Sequence, residues 1–496
     1  MESFWLPVLI LLSSLLTGLG IFFLGEERHF ARTVLNMAAA SVKLVLVSMM
    51  WIGYFEGQSY EARWPLLPGI DLVLKTDIFA LVFLTLSSGL WFVTTLYAVG
   101  YLEETPQRSR FFGFFSLCVS STMGIAMAGN LFTFLIFYEM LTLSTYPLVV
   151  HRGTEDSLKA GRTYLIYTLT GGSILLLSIA WLQTLAGPIE FVAGGALQPN
   201  DIPLPVLRII FFLFISALGV KSAIVPLHSW LPKAMVAPAP VSALLHAVAV
   251  VKAGAFGIVR VVHDVYGINL ANDLGVLKPL MIIATVTILY GSMQALIQNE
   301  LKKRLAFSTV SQISYIILGV AILGPVAMIG GIVHIVHQGL MKITLFFCAG
   351  NFAETLGVHE ISEMNGIGRR MPWTMTAFTI GALGLIGLPP FAGFITKWFL
   401  GSGALHAGED WVVIVLVISS LLNAGYFLPI IYQGWFMERE DPWPFEHHVG
   451  PLETNWMLLT PPLITAILVI ASGLFASTSF SPLSIVELIA LVEYPP

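Results

Sequence analysis

Ten ionisable side chains in this sequence fall inside long apolar stretches: Glu139, Lys43, Lys221, Lys252, Lys342, Lys397, His228, His246, His334 and His337. Lysine, glutamate and histidine share one chemistry, the uptake and return of a proton. A lysine or acid at mid-bilayer costs about 2.5–3.5 kcal/mol on insertion scales, so each needs a partner, water or a task. The nine other than Lys43, which is the weakest functional candidate, point to proton exchange. Glu139 is nine residues into the run that starts at Leu131, roughly 13 Å deep at the rise of an ideal helix. A Glu139–Lys221 pair that forms and separates would switch the proton affinity of the amine. Lys252, the histidines and Lys397 could then carry the proton onward through waters and side chains.

Two of the lysines stand beside prolines that break helices. Pro226 cannot donate to the carbonyl of Ser222, and its ring crowds that turn, so a helix ends one residue past Lys221. Pro389 and Pro390 free the carbonyls of Leu385 and Ile386 in the same way, with Lys397 a few residues on. Broken backbone in lipid is tolerated only where it lines a cavity or is covered by protein. His228 lies seven residues beyond Lys221, close to the same face of a continuous helix. His246 and Lys252 are six residues apart, about 120° on an ideal helix, so they share one row only if a bulge intervenes. His334, Gln338 and Lys342 recur every four residues with His337 beside them, a polar stripe that must face protein. The His334-x-x-His337 spacing could suggest metal, but no third ligand is visible and its neighbours suit proton exchange equally well.

The elements that must position these groups are membrane helices. Of 496 residues, 56% are hydrophobic and 11% charged, against roughly 25% charged in an average globular domain; mean hydropathy is +0.85. A soluble enzyme, a nucleic-acid binder and a disordered chain are excluded. Runs of about 20 apolar residues, enough to span a bilayer core, sit near 4–24, 33–54, 77–99, 111–128, 130–150, 163–186, 206–231, 238–262, 276–298, 305–323, 326–350, 373–400, 412–436 and 456–476. This predicts an all-α polytopic membrane protein with about fourteen transmembrane helices, broken at the seventh and twelfth. The first run follows acidic Glu2 and has neither a basic leader nor a small-residue cleavage site, so it reads as a retained span. Two broken, lysine-bearing spans in matching positions of two five-span blocks are the mark of a repeated transporter fold. The odd block length makes the repeats inverted. The blocks are residues 111–262 and 276–436, with helices one to three at 1–110 and a loop, helix fourteen and tail at 437–496.

Loops after odd-numbered spans hold fourteen Lys and Arg; those after even-numbered spans hold five, Arg63, Lys75, Arg208, Arg260 and Lys278. That bias places the odd loops in the cytoplasm and both termini outside. Only two cysteines occur, Cys118 and Cys348, both in apolar runs, so disulfide, zinc and iron–sulfur chemistry have no ligands. No phosphate loop or dinucleotide fingerprint is present, so no cofactor is expected and any work comes from an ion gradient or a partner protein.

The stretch from Lys221 through Pro226-Leu227-His228-Ser229-Trp230-Leu231-Pro232-Lys233-Ala234, then Pro238-x-Pro240-Val241-Ser242-Ala243-Leu244-Leu245-His246 to Lys252-Ala253-Gly254, resembles the signature of the antiporter-like membrane subunits. These are shared by respiratory complex I and the Mrp-type multisubunit cation/proton antiporters. Leu301-Lys302-Lys303-Arg304-Leu305-Ala306-Phe307-Ser308-Thr309-Val310-Ser311 and Gly387-Leu388-Pro389-Pro390 match as well, and the resemblance covers essentially the whole chain. It implies fourteen helices with inverted repeats and a buried hydrophilic axis. Along that axis Glu139 matches the fifth-helix glutamate, Lys221 and Lys252 the seventh- and eighth-helix lysines, and Lys397 the terminal twelfth-helix lysine. His246, His334 and His337 fall where the axis is usually polar.

Length excludes the longest member type, which appends a lateral helix, and lysine on span twelve disfavours the complex I type with glutamate there. These features fit the D-type subunit of a Mrp antiporter. One departure is Thr163 beside Arg162, where several relatives place a lysine. The resemblance implies a non-enzymatic proton-translocating subunit of a sodium/proton antiporter in a prokaryotic inner membrane. Its expected partners are other integral membrane subunits, protons, monovalent cations and lipid, with no nucleic acid. The alternative it leaves is a proton-pumping subunit of a quinone-linked redox complex.

Overall fold

The computed structural model describes residues 4–102, 105–198, 202–447 and 451–494. Helices α1 (Trp5–Phe22) and α2 (His29–Phe55) lead into an antiparallel hairpin, β1 (Tyr60–Leu67) and β2 (Ile70–Thr76). Then come α3 (Ile78–Tyr101), α4 (Arg108–Ala126), α5 (Leu131–Val149), α6 (Glu155–Ala186) and α7 (Leu204–Lys221). A broken stretch with the short α8 (Trp230–Lys233) follows. Next, α9 (Ala239–Ala243) and α10 (Val250–Arg260), joined through a π turn, form one rod over Ala239–Tyr266. After the short α11 (Ile268–Asp273) come α12 (Leu277–Leu296), α13 (Leu301–Ala321), α14 (Pro325–Leu356) and the one-turn α15 (Ile367–Arg370). The chain closes with α16 (Pro372–Ile386), α17 (Ala392–His406), α18 (Trp411–Phe436), α19 (Trp456–Leu474) and α20 (Pro482–Glu493).

Among the described residues, twelve helices are long and apolar enough to cross a membrane. The other two expected spans take different forms. The run at 111–128 is α4, a 19-residue helix that carries Arg108, Arg110 and several serines, which lower its hydropathy. The run at 373–400 is α16 and α17, two 15-residue helices on either side of the double proline. The hairpin lies between the second and third apolar runs, 33–54 and 77–99. Its strands turn at Pro68-Gly69, where Gly69 has φ 77°, and β2 is clipped to the α4–α5 connection by Lys75 N→Met127 O and Gly129 N→Val73 O.

Helix starts follow local chemistry. Asp77 caps α3 by accepting from Ala80 N, Asn130 caps α5 through Thr133 N, and Thr154 caps α6 through Ser157 N, each satisfying an amide that the first turn leaves open. Burial is uneven across the bundle. The Ala239–Tyr266 rod, α13 and α14 are almost wholly buried, whereas α1 and α2 leave most residues facing outward. The ionisable stripe of α14 and Lys252 of α10 are therefore surrounded by protein rather than lipid, as their insertion cost requires.

Arg260 belongs to this interior too, although its sequence position reads as an outer loop. Its guanidinium is buried, pairs with Asp264 at 2.9 Å and grips Asp77 with two bonds of 2.6 and 2.9 Å. Asp264 in turn hydrogen bonds Glu493 at the end of α20. Burial, followed by the neighbouring Asp264, raises the Glu493 carboxyl to about 8. Arg260→Met is expected to lower stability by about 3 kcal/mol, because Asp264 would stay buried without its cation. Thermal unfolding in detergent checks this, and an unchanged midpoint would contradict it.

Candidate functional site

The first helix break falls where Pro226 requires. Helix α7 ends at Lys221, and residues 222–229 run irregularly with Ala223 in the left-handed region at φ 56°. A cation in the last turn of a helix faces its negative end. The Lys221 ammonium is fully buried and turns to α5, where it donates to the carbonyl of Tyr138 and lies 3.4 Å from the centre of that ring. Its contact is thus the residue before Glu139, with no ion pair to the carboxylate itself among the described residues. One Glu139 oxygen is buried without a hydrogen-bond partner there. Glu139 fits against α6 only because residue 172 is glycine: a Cβ at Gly172 would stand 1.9 Å from Glu139 Oε1. Gly172→Ala is expected to displace the carboxylate and slow proton exchange about tenfold. Transport in vesicles measures this, and an unaltered rate would mean the carboxylate position is unimportant.

The second break is used differently. Lys397 Nζ donates to the two carbonyls the double proline frees, Leu385 O at 3.2 Å and Ile386 O at 2.6 Å, and to Ser420 Oγ at 2.7 Å. Gly387, with φ 91°, leaves room for the Lys397 stem, which a Cβ would meet at 2.6 Å. Lys397 is only half-buried. It borders an apolar recess of about 470 Å³ between α17 and α18, walled by Leu388, Phe394, Trp398, Val413, Val417 and Leu421.

Between the breaks, α14 collects the other groups. Lys252 on α10 donates to Ile335 O at 2.6 Å, on the turn that bears His334 and His337. Both imidazoles contact the Thr396 hydroxyl through Nδ1 at 3.1 Å, one residue from Lys397. The π turn Leu244–Val248 includes His246 and separates it from Lys252 on α10. His246 stacks on Phe346 of α14 at 4.5 Å, and its carbonyl accepts from Gln338 Nε2. Lys342 is joined to Lys397 by a chain of hydrogen bonds: Lys342 Nζ donates to Ser308 Oγ at 2.6 Å, the Ser308 hydroxyl meets Tyr426 Oη at 3.0 Å, Tyr426 Oη donates to Asn423 Oδ1 at 2.6 Å, and Asn423 Nδ2 donates to Leu385 O at 3.0 Å. Leu385 O is the carbonyl that Lys397 also uses.

Two residues stand apart from this row. His228 packs edge-on to Tyr290 of α12, and no hydrogen bond joins it to Lys221 among the described residues. Thr163 bonds its own helix backbone, Lys159 O, and nothing else among the described residues. Sequence reasoning missed Ser308, Thr396, Asn423, Tyr426 and also Gln312, which is fully buried on α13. At the first break Glu139 Oε1, and along the row both nitrogens of His246, both amide atoms of Gln312, the Nε2 atoms of His334 and His337, and Gln338 Oε1, are buried without partners among the described residues. Buried polar atoms are normally satisfied by protein or ordered water, and nothing in the sequence signalled that these would lack a protein partner.

On the side of the odd-numbered loops, a cavity of about 230 Å³ is lined by Tyr101, Arg152, Asp156, Lys302, Gly350 and His359. The Lys302 amine at its wall donates to Ala237 O at 2.8 Å, just before the α9–α10 rod.

A helical membrane bundle with two broken helices and a buried row of lysines, histidines and hydroxyls is the framework of an antiporter-like membrane subunit. The chain belongs to the family described as NADH:quinone oxidoreductase/Mrp antiporter, TM, which matches residues 128–423. It is 34% identical over 430 residues to NADH-quinone oxidoreductase subunit N of Desulforudis audaxviator, covering 84% of each chain. It is 26% identical over 443 residues to the D-type subunit of the Na(+)/H(+) antiporter of Bacillus subtilis, covering 88% of each. The fold is that of a chain in the Mrp complex of Dietzia sp. DQ12-45-1b, with a TM-score of 0.82 at 24% identity, covering 99% of this chain and 97% of that one.

Proposed function

We propose that this chain is the proton-translocating subunit of a multisubunit sodium/proton antiporter in a prokaryotic inner membrane. The observation that carries the reading is the row from Lys252 through His334, His337 and Thr396 to Lys397, joined to Lys342 by Ser308, Tyr426 and Asn423. Hydroxyls and imidazoles can accept a proton on one side and donate on the other, and the unpartnered polar atoms beside them suit a hydrated path. In this reading a proton taken up from the odd-loop cavity reaches Lys252 past His246, and Glu139 with Lys221 forms a second, separable pair. His228 would serve as a side group of the first break rather than a member of the row. The two five-helix blocks, 111–262 and 276–436, act as inverted repeats, with both termini outside.

Partner subunits complete the machine. The apolar recess beside half-buried Lys397 is the face on which another membrane subunit would sit, and the coupled cation crosses there or within that partner. A second reading, a proton-pumping subunit of a quinone-linked redox complex, is favoured by the 34% identity to an NADH-quinone oxidoreductase subunit. Purification of the native complex decides between them. Co-purifying small antiporter subunits and sodium-driven proton uptake in proteoliposomes are expected. Flavin and iron–sulfur subunits, with no uptake on a sodium gradient, would install the second reading. Reconstitution of this chain alone and with its neighbours tells whether the subunit works by itself.

A further inference from the structure

The proton row leaves one buried amine unused. Lys43 lies near the middle of α2, about 21 Å along it from His29, and is fully buried. Its Nζ donates to Ser14 Oγ on α1 at 2.5 Å and stands 4.7 Å from the centre of the Trp91 ring on α3. Neither α1 nor α3 has a charged residue. The charged groups on the other helices around it, Arg32 on α2 with Arg108 and Arg110 on α4, lie at one end, beside Glu26 and His29.

Two matched stripes of polar side chains line α2 and α4 between that end and Lys43, without a continuous hydrogen-bond chain among the described residues. On α2, Arg32, Asn36 and Lys43 recur at helical spacing, and on α4 so do Ser109, Ser116 and Ser120. Glu26 accepts from the backbone amides of Arg108 and Ser109 at 2.9 Å. Arg32 Nη1 donates to Ser109 Oγ at 2.6 Å, and Ser116 Oγ donates to Asn36 Oδ1 at 3.3 Å. Ser120 Oγ donates to Leu11 O at 3.2 Å, a carbonyl that Ser14 also uses. Gly18 lets α1 and α4 approach closely enough for this last contact, since a Cβ there would meet Gly113 O at 2.9 Å. A second observation lies on the far side of the amine. Ser87 Oγ and Trp91 Nε1, one turn apart on α3, are buried with no partner among the described residues, the setting that ordered water fills.

We propose that Lys43 is a proton-binding site separate from the main row, loaded from the Glu26 face through the α2–α4 polar stripe. Loading transfers one proton from water at that face to the amine, and unloading returns it. Ser14 serves both states, accepting from the ammonium and donating to the amine. The site does not depend on the antiporter reading, because proton binding is measurable without transport.

The test is proton uptake by the full chain in nanodiscs, followed with a soluble pH dye after rapid acidification from alkaline pH. Lys43→Met is expected to take up about one proton fewer per chain. Asn36→Leu, which blocks the stripe, is expected to keep the amplitude and slow that component about tenfold. Lys43→Gln replaces Lys43→Met if the latter does not fold. Unchanged amplitude in the Lys43 variant overturns the site, and an unchanged rate in Asn36→Leu overturns the route. Glu139 and Lys221 variants measured for transport report separately on the proposed function.

Discussion

Lys221→Ala is expected to lower cation-dependent proton exchange about a thousandfold, with Glu139→Ala close behind, while the protein still folds. The reason lies in how the amine is held. Lys221 ends α7 at the break and is fixed by the Tyr138 carbonyl and ring, so its ammonium sits one residue from Glu139 without being locked to it. The arrangement keeps the carboxylate and the amine adjacent and separable, which a proton-transfer pair needs and a static salt bridge does not. Folding should survive because removal of a buried charge relieves a desolvation cost that offsets the lost packing. Proteoliposome exchange, with thermal unfolding as a control, measures both. Retained exchange in either variant would defeat the assignment.

Tyr426→Phe is expected to lower exchange about a hundredfold, the larger part of the effect coming from one hydroxyl. That hydroxyl is the joint between Ser308, which holds Lys342, and Asn423, which shares Leu385 O with Lys397. Ser308→Ala should give a similar loss. Groups that act in series are not additive, so the double variant should be no slower than the slower single. Stability should fall by only about 1 kcal/mol, the usual worth of a buried hydrogen bond. Independent, additive losses would show that the two hydroxyls do not share a path.

Much of this was legible because proline acts locally. The missing donors of Pro226, Pro389 and Pro390 fixed where two helices end and which carbonyls come free, and Lys397 occupies those of Leu385 and Ile386. Charged residues in apolar runs announce themselves through their cost, which made Glu139, the lysines and the α14 stripe visible. Neutral groups do not. Most serines and threonines in these helices simply bond the carbonyl one turn back, as Thr309 does to Leu305, so nothing marked Ser308 or Thr396 as different. The partner of Lys221 is a backbone carbonyl, which has no sequence signature at all. The hairpin was readable in retrospect, since Pro68-Gly69 separates two strand-like runs. Arg260 looked like an outer-loop charge because its two carboxylates, Asp77 and Asp264, are one near and one far in sequence.

The π turn at Leu244–Val248 closes with Ala249 N→Leu244 O at 2.9 Å, five residues back instead of four. It holds one residue more than an α-helical turn would. Deleting a single amino acid there would restore ordinary winding and swing everything ahead of it by about 100°. His246 would leave Phe346, while Lys252 stayed on Ile335. Chain length at this one point therefore sets the phasing of the two halves of the rod, and a shortening mutation could rewire the subunit without altering any titratable residue.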